Sequence, residues 1–182
     1  MITIHDERPV DVASREALLD RAFGPTRRQK TCERMREGRR AAEGLSLVAV
    51  QDGELVGTLR FWHVAAGPGR PALVLGPLAV DQDRRGSGIG AALIREGLAR
   101  ARALGFEAVL LVGDAPYYER FGFSAGAVAD LTLPGPFERE RFLGLDLVPG
   151  ALQAAAGLVQ PTGAAMESAG PVVAQAGRRR AA

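Results

Sequence analysis

Cysteine is almost absent: Cys32 stands alone in a chain of 182 residues. No internal disulfide can form, and one thiol supplies no cysteine cluster for a metal. Lysine is equally scarce, because Lys30 is the single lysine among 23 basic residues and all the others are arginine. No apolar run approaches the roughly 20 residues needed to span a bilayer. The opening Met1-Ile2-Thr3-Ile4-His5-Asp6-Glu7 lacks the basic and apolar regions of a secretory signal. These absences lead to the expectation of a cytoplasmic protein with no membrane association and no metal site.

What is present suits a globular fold. Hydrophobic residues make up 47% and charged residues 24%, a balance that supports a buried core and excludes an intrinsically disordered chain. The 23 glycines follow no Gly-X-Y period, which excludes collagen. The length fits one domain with some excess chain.

The formal net charge is only +2, yet the charge is unevenly placed. Residues 21–40 carry eight basic side chains (Arg21, Arg27, Arg28, Lys30, Arg34, Arg36, Arg39, Arg40) against Glu33 and Glu37, a net of +6. Arg178-Arg179-Arg180 adds +3, which leaves about −7 for everything else. An acidic body makes nucleic acid a poor partner, and the arginine, alanine and glycine richness reads as a composition bias. The basic stretch is either a solvated face or the rim of a site that favours acidic acceptors.

Local patterns predict the elements. Ile2–His5 alternates as a short strand. A helix follows Pro9, with Val10, Ala13, Ala17, Leu18 and Phe23 at helical spacing, and Gly24-Pro25 ends it. Thr26 through Arg40 reads as a second helix, very polar, with only Cys32 and Met35 on its apolar side, and therefore superficial. Leu45–Gln51 and Glu54–Ala65 flank Asp52-Gly53, a two-residue hairpin signal. Ala72–Val80 is a nearly all-apolar central strand interrupted by Gly76-Pro77, where a missing N–H predicts a bulge or splay. Residues 88–104 form a helix with Ile89, Leu93, Leu98, Ala101 and Leu104 near one face. Glu107–Val112 is a buried strand, Ala115–Phe121 a short helix, and Phe123–Leu133 with Phe142–Val148 a closing pair of strands. Residues 164–182 read as a disordered tail after a domain spanning 1–163.

The chemistry concentrates in Leu78-Ala79-Val80-Asp81-Gln82-Asp83-Arg84-Arg85-Gly86-Ser87-Gly88-Ile89-Gly90-Ala91. A central strand runs into a glycine-rich loop that opens directly into a helix. Glycines at alternate positions let backbone N–H groups converge on an anion. The helix start adds free N–H groups and about half a positive charge, and Arg84 or Arg85 adds a side-chain charge. The result is a phosphate cradle made mostly of backbone. It is no P-loop, since the lysine is missing, and no dinucleotide fingerprint, since Leu93 stands where a third glycine would.

The run Arg85-Gly86-Ser87-Gly88-Ile89-Gly90 instead resembles the coenzyme A pyrophosphate loop of the GNAT superfamily of N-acetyltransferases. Element order from about residue 1 to 160, the interrupted strand, and Tyr117-Tyr118-Glu119-Arg120-Phe121-Gly122-Phe123 are similar to that family's plan. Leu75–Val80 together with Gly113–Tyr118 resembles its YhbS-type subgroup. The resemblance implies an α+β three-layer fold with a mixed, mostly antiparallel sheet and splayed central parallel strands. It implies acetyl-CoA as co-substrate and acetyl transfer to an amine by direct attack in a ternary complex. Leu78, Ala79 and Val80 would then offer backbone to the pantetheine arm. Arg85, Gly86, Ser87, Gly88, Ile89, Gly90 and Ala91 would surround the pyrophosphate. Tyr118 would protonate the departing thiolate from a pKa near 10, and a backbone N–H near Leu78 would meet the oxyanion.

Two questions stay open at this level. The glutamate that many family members place on the fourth or fifth strand is missing from Ala72–Val80, and His63, Glu54, Glu107 and Asp114 have only position to recommend them as bases. The acceptor is an amine-bearing small molecule, peptide or protein with no motif of its own, and dimers are common in the superfamily. A non-catalytic acyl-CoA-binding regulatory module is the alternative function.

Overall fold

The computed structural model describes residues 1–166. Strands β1 (Ile2–Asp6), β2 (Ser46–Gln51), β3 (Glu54–Ala66) and β4 (Pro71–Val80) form an antiparallel meander, with Asp52 and Gly53 at φ 54° and 83° closing the β2–β3 hairpin. β4 pairs in parallel with β5 (Ala108–Val112), and β5 pairs antiparallel with β7 (Phe142–Asp146). The main order is therefore β1-β2-β3-β4-β5-β7. Short β6 (Leu131–Thr132) and β8 (Gly157–Pro161) complete it, β8 pairing with the far end of β3 at Val64–Ala66.

The two-residue strand period decides which side chains go to which face. Leu73 and Leu75 of β4, with Val109 and Leu111 of β5, join the cluster under α3 (Ile89–Ala103). Ala72, Val74, Ala108 and Leu110 face the opposite cluster, with Trp62, Met35 and Phe142. Helix α1 (Val12–Phe23) packs Leu18 and Leu19 against Ala79. The expected α+β fold with a mixed, mostly antiparallel sheet is thus observed.

Several expectations are corrected. Residues 26–40 form no continuous helix: a 3-10 turn (Pro25–Gln29) gives way to α2 (Thr31–Arg34), and Lys30 between them is extended at ψ 145°. Nor is the segment superficial, since Arg27, Thr31, Met35 and Arg36 are buried. The reason is ionic: Arg27 donates to Asp20 at 2.7 Å and pairs with Glu16, both on α1, so a charged side chain can turn inward with its charge matched. Leu104, expected on the buried face of α3, is 55% exposed. Phe123–Leu133 is mostly turns: Ser124 bridges β7 at Gly144, but its short strand β6 pairs with β8 rather than β7. The expected tail lies outside the described residues from 167 onward. Its first residues do pair, as Arg40 N–H donates to Ala164 O at 2.8 Å and Met166 N–H to Gly38 O at 2.7 Å.

Candidate active site

Parallel pairing between β4 and β5 ends at Leu73–Val109 and Val74–Leu110. Beyond it the strands part, and on the β3 side the register slips between Leu59 and Phe61, opposite Gly76 and Pro77. The indole N–H of Trp62 donates to Gly76 O at 2.6 Å, which satisfies the carbonyl freed by that irregularity. From Leu75 to Val80 the edge of β4 facing β5 has no partner strand among the described residues. Such an edge can pair with an extended ligand as another strand would.

The loop after β4 has the expected form. Gly86 and Gly88 adopt φ 80° and 85°, a region that costs any residue with a Cβ roughly 1–2 kcal/mol. No atom lies within 4 Å of where a Cβ would project from either, so the space beside them is open. The first intrahelical bond of α3 runs from Ala92 N–H to Gly88 O at 2.9 Å, which leaves the N–H groups of Ile89, Gly90 and Ala91 without helical partners. The side chains of Ile89 and Ala79 are buried in the core, so these two positions can offer a ligand only backbone. Arg85 and Ser87 are exposed on the loop.

Between the parted strands lies a cavity of about 530 Å³ lined by Leu75–Leu78, Val112–Asp114, Tyr117 and Tyr118. It connects to the loop through Tyr117: a Cβ added to Gly90 would stand 2.8 Å from the Tyr117 hydroxyl and 3.5 Å from a Val80 methyl. Tyr118 of α4 (Ala115–Tyr118) packs edge-on against Tyr117 at 5.1 Å and Phe123 at 5.9 Å. Its ring lies so close to Gly113 that a Cβ there would fall 2.3 Å from it. Burial pushes the Tyr118 phenol above its ordinary value, with Tyr117 adding to the shift and Arg141 opposing it. The phenol is therefore a weaker acid than its sequence context suggests, and it stays protonated throughout the neutral range.

The structure separates the candidate bases. Asp114 lines the cavity, whereas His63, Glu54 and Glu107 do not. His63 packs against Phe106 at 5.4 Å instead. Much of the outer wall, Arg27, Lys30, Thr31, Cys32, Glu33 and Arg36, comes from the basic stretch that the sequence offered as either a solvated face or a rim. Phe137, Glu138 and Arg141 come from the turn before β7. Thr31 Oγ1 donates to Pro136 O at 2.7 Å and ties the two walls together. The only signal in the sequence was the clustering of basic residues at 21–40.

A mixed sheet whose two parallel strands part beside the amino end of a helix defines a class, the acetyltransferases of the GNAT fold. Residues 13–123 match the model of the Acetyltransferase (GNAT) family. The uncharacterized N-acetyltransferase YhbS of Escherichia coli (strain K12) is 35% identical over 159 residues, 86% of this chain and 94% of that protein. The crystal structure of E. coli YhbS in complex with CoA superposes with a TM-score of 0.74 at 33% identity, covering 88% of this chain and 89% of the other. A GNAT family acetyltransferase from Brucella melitensis, solved in complex with acetyl-CoA, gives 0.62 at 32% identity, covering 93% and 97%. The chain belongs to the GNAT acetyltransferase family. No helix among the described residues is long and apolar enough to cross a membrane.

Proposed function

We propose that this protein transfers the acetyl group of acetyl-CoA to an amine held in the cleft, by direct attack within a ternary complex. The observation that carries this reading is the parting of β4 from β5 beside the open amino end of α3. It is supported by similarity to proteins solved with CoA and with acetyl-CoA. When bound, acetyl-CoA supplies an activated thioester, so the protein's part is mainly to position the reactants.

Backbone N–H groups from Gly86 to Ala91, with Arg85 beside them, hold the diphosphate. The free edge at Leu78, Ala79 and Val80 pairs with the pantetheine arm. Tyr118, kept neutral by burial, donates its proton to the leaving thiolate. The same poorly hydrated walls raise the basicity of that thiolate, which offsets the weaker acidity of the phenol.

Cys32 also lines the cavity, yet burial pushes its thiol up rather than towards the reactive thiolate. Burial thus disfavours an acetyl-cysteine intermediate, and direct attack needs none. Cys32→Ala should retain turnover, and initial-rate plots against both substrates should intersect rather than run parallel. Parallel lines abolished by that substitution would refute direct attack. Gly113→Ala, which forces the Tyr118 ring aside, should lower kcat by about tenfold to a hundredfold at near-normal acetyl-CoA affinity.

The decisive experiment combines thermal shift with thiol release over a panel of amines. Acetyl-CoA should raise Tm with the logarithm of its concentration over Kd, and at least one amine should accelerate release of CoA thiol. Stabilisation with no acceptor-dependent release would leave a binding module and defeat the transferase reading.

A further inference from the structure

The single lysine of this arginine-rich chain stands on the wall of the cleft between the parted strands. Lys30 borders the same continuous volume as Pro77, Leu78 and Tyr118. Its backbone is fixed from both sides. Three residues earlier Arg27 donates to Asp20 of α1 at 2.7 Å, and the next residue, Thr31, donates to Pro136 O at 2.7 Å. Lys30 itself is extended, at φ −69° and ψ 145°, and its N–H donates to Arg27 O at 3.4 Å.

The side chain, by contrast, is free. It is exposed and makes no ion pair or side-chain hydrogen bond among the described residues. Its cationic neighbours on the wall are matched, Arg27 by Glu16 and Asp20, and Arg36 by Glu33. The Lys30 ammonium lies 5.4 Å from the centroid of Phe23, whose ring also lines the cleft. A cation–π contact at an exposed site is weak, and the four-carbon stem of lysine is flexible, so Nζ can leave Phe23 and swing into the cavity. Chemistry singles it out as well. A guanidinium keeps its charge and is no nucleophile, whereas a lysine amine that has lost its proton is one. Among the basic side chains of the cleft, Arg27, Lys30, Arg36 and Arg141, only Lys30 can take an acetyl group. An amine tethered to the wall of the reacting site is also held at a high effective concentration.

We infer that Lys30 Nζ is a self-acetylation site, which takes the acetyl group from acetyl-CoA bound in the cleft of the same chain when no external amine is present. This rests on the acetyl-transfer reading and adds a modification site to it. The neutral Nζ attacks the thioester carbonyl, and its C–N bond forms as the C–S bond breaks. Nζ gives its surplus proton to solvent, and Tyr118 gives the leaving thiolate a proton that it regains from solvent. The product is a neutral amide on the cleft wall, without the charge that faced Phe23.

The test incubates the full chain with acetyl-CoA and no amine, then reads intact mass, peptide maps and released thiol. One acetyl group per chain should appear, on the single lysine, together with one equivalent of CoA thiol. The labelled fraction at a given time should be unchanged when the protein is diluted at fixed acetyl-CoA. Desulfo-CoA, which fits the same site but carries no acetyl group, should abolish the labelling. Lys30→Arg should take up no acetyl group while acetyl-CoA still raises its Tm. An acetyl group on the Met1 amine alone, or none at all, overturns the inference. Labelling that slows on dilution marks transfer between copies, and labelling that desulfo-CoA leaves untouched marks simple chemical acylation; either overturns it too. In each of these cases, thiol release with external amines keeps the acetyl-transfer reading intact. Failure of Lys30 and of every external amine alike defeats both.

Discussion

Replacing Tyr118 with phenylalanine is expected to lower kcat by about 10²–10⁴-fold, the range that general-acid catalysis supplies, while acetyl-CoA affinity hardly changes. The substitution deletes one oxygen and keeps the ring that packs on Gly113, Tyr117 and Phe123, so the cleft should hold its shape. The phenol's raised pKa sets the pH dependence. The acid must be protonated to act, and a value above the usual ~10 for tyrosine keeps it protonated through the alkaline range. No falling limb due to this residue should therefore appear below about pH 10. Steady-state kinetics over that range provide the check. A Phe variant with unchanged kcat would remove Tyr118 from the reaction. The Tyr117 hydroxyl beside Gly90 would then be the next donor to test.

The second large effect concerns stability. The Glu7 side chain is only 4% exposed and pairs with Arg60 through both its oxygens, with Arg15 Nε 3.4 Å from one of them. Burial and the neighbouring Arg60 already push the Arg15 guanidinium down, the mark of a cation held where charge is costly. Glu7→Gln keeps the shape but leaves two guanidinium groups without their shared counter-charge. Removing one partner of such a buried cluster costs about 3–5 kcal/mol. Glu16 still pairs with Arg15 at 3.1 Å, which argues for the lower end. Thermal unfolding should show Tm falling by roughly 10 °C. A second substitution, Arg15→Met, should restore part of the loss because it removes one of the stranded charges. A change of under about 2 °C, less than 1 kcal/mol for a domain of this size, would show that the cluster contributes little.

The parts of this protein that were legible in the sequence share one property: their signals are local. Alternation in β4 and β5 assigns each side chain to a face within two residues. Asp52-Gly53 specifies its turn through two backbone angles, and Gly86 and Gly88 specify theirs in the same way. The glycine loop, its helix and the tyrosine pair were therefore readable, and the cleft they frame lies where β4 was expected to splay. The basic stretch misled for the opposite reason. Its polar composition has no helical stripe, and nothing within it reveals that Arg27 has carboxylates waiting on α1 or that Met35 has an apolar socket.

The sequence by itself determined the strand faces, the glycine turns and the order of elements from β2 to β5, because neighbours along the chain control backbone angles and side-chain alternation. Tertiary structure alone decided the wall of the cleft and the environment of its charges. Thr31 meets Pro136, and Arg39 Nη1 donates to Gly163 O at 2.6 Å, across more than a hundred residues of chain. Arg36 is held by near neighbours, Cys32 O and Glu33, yet only the fold sets its Nη1 beside Gly76. Whether a charge is solvated, paired or left facing a cavity depends on what folding brings beside it, and no local pattern encodes that.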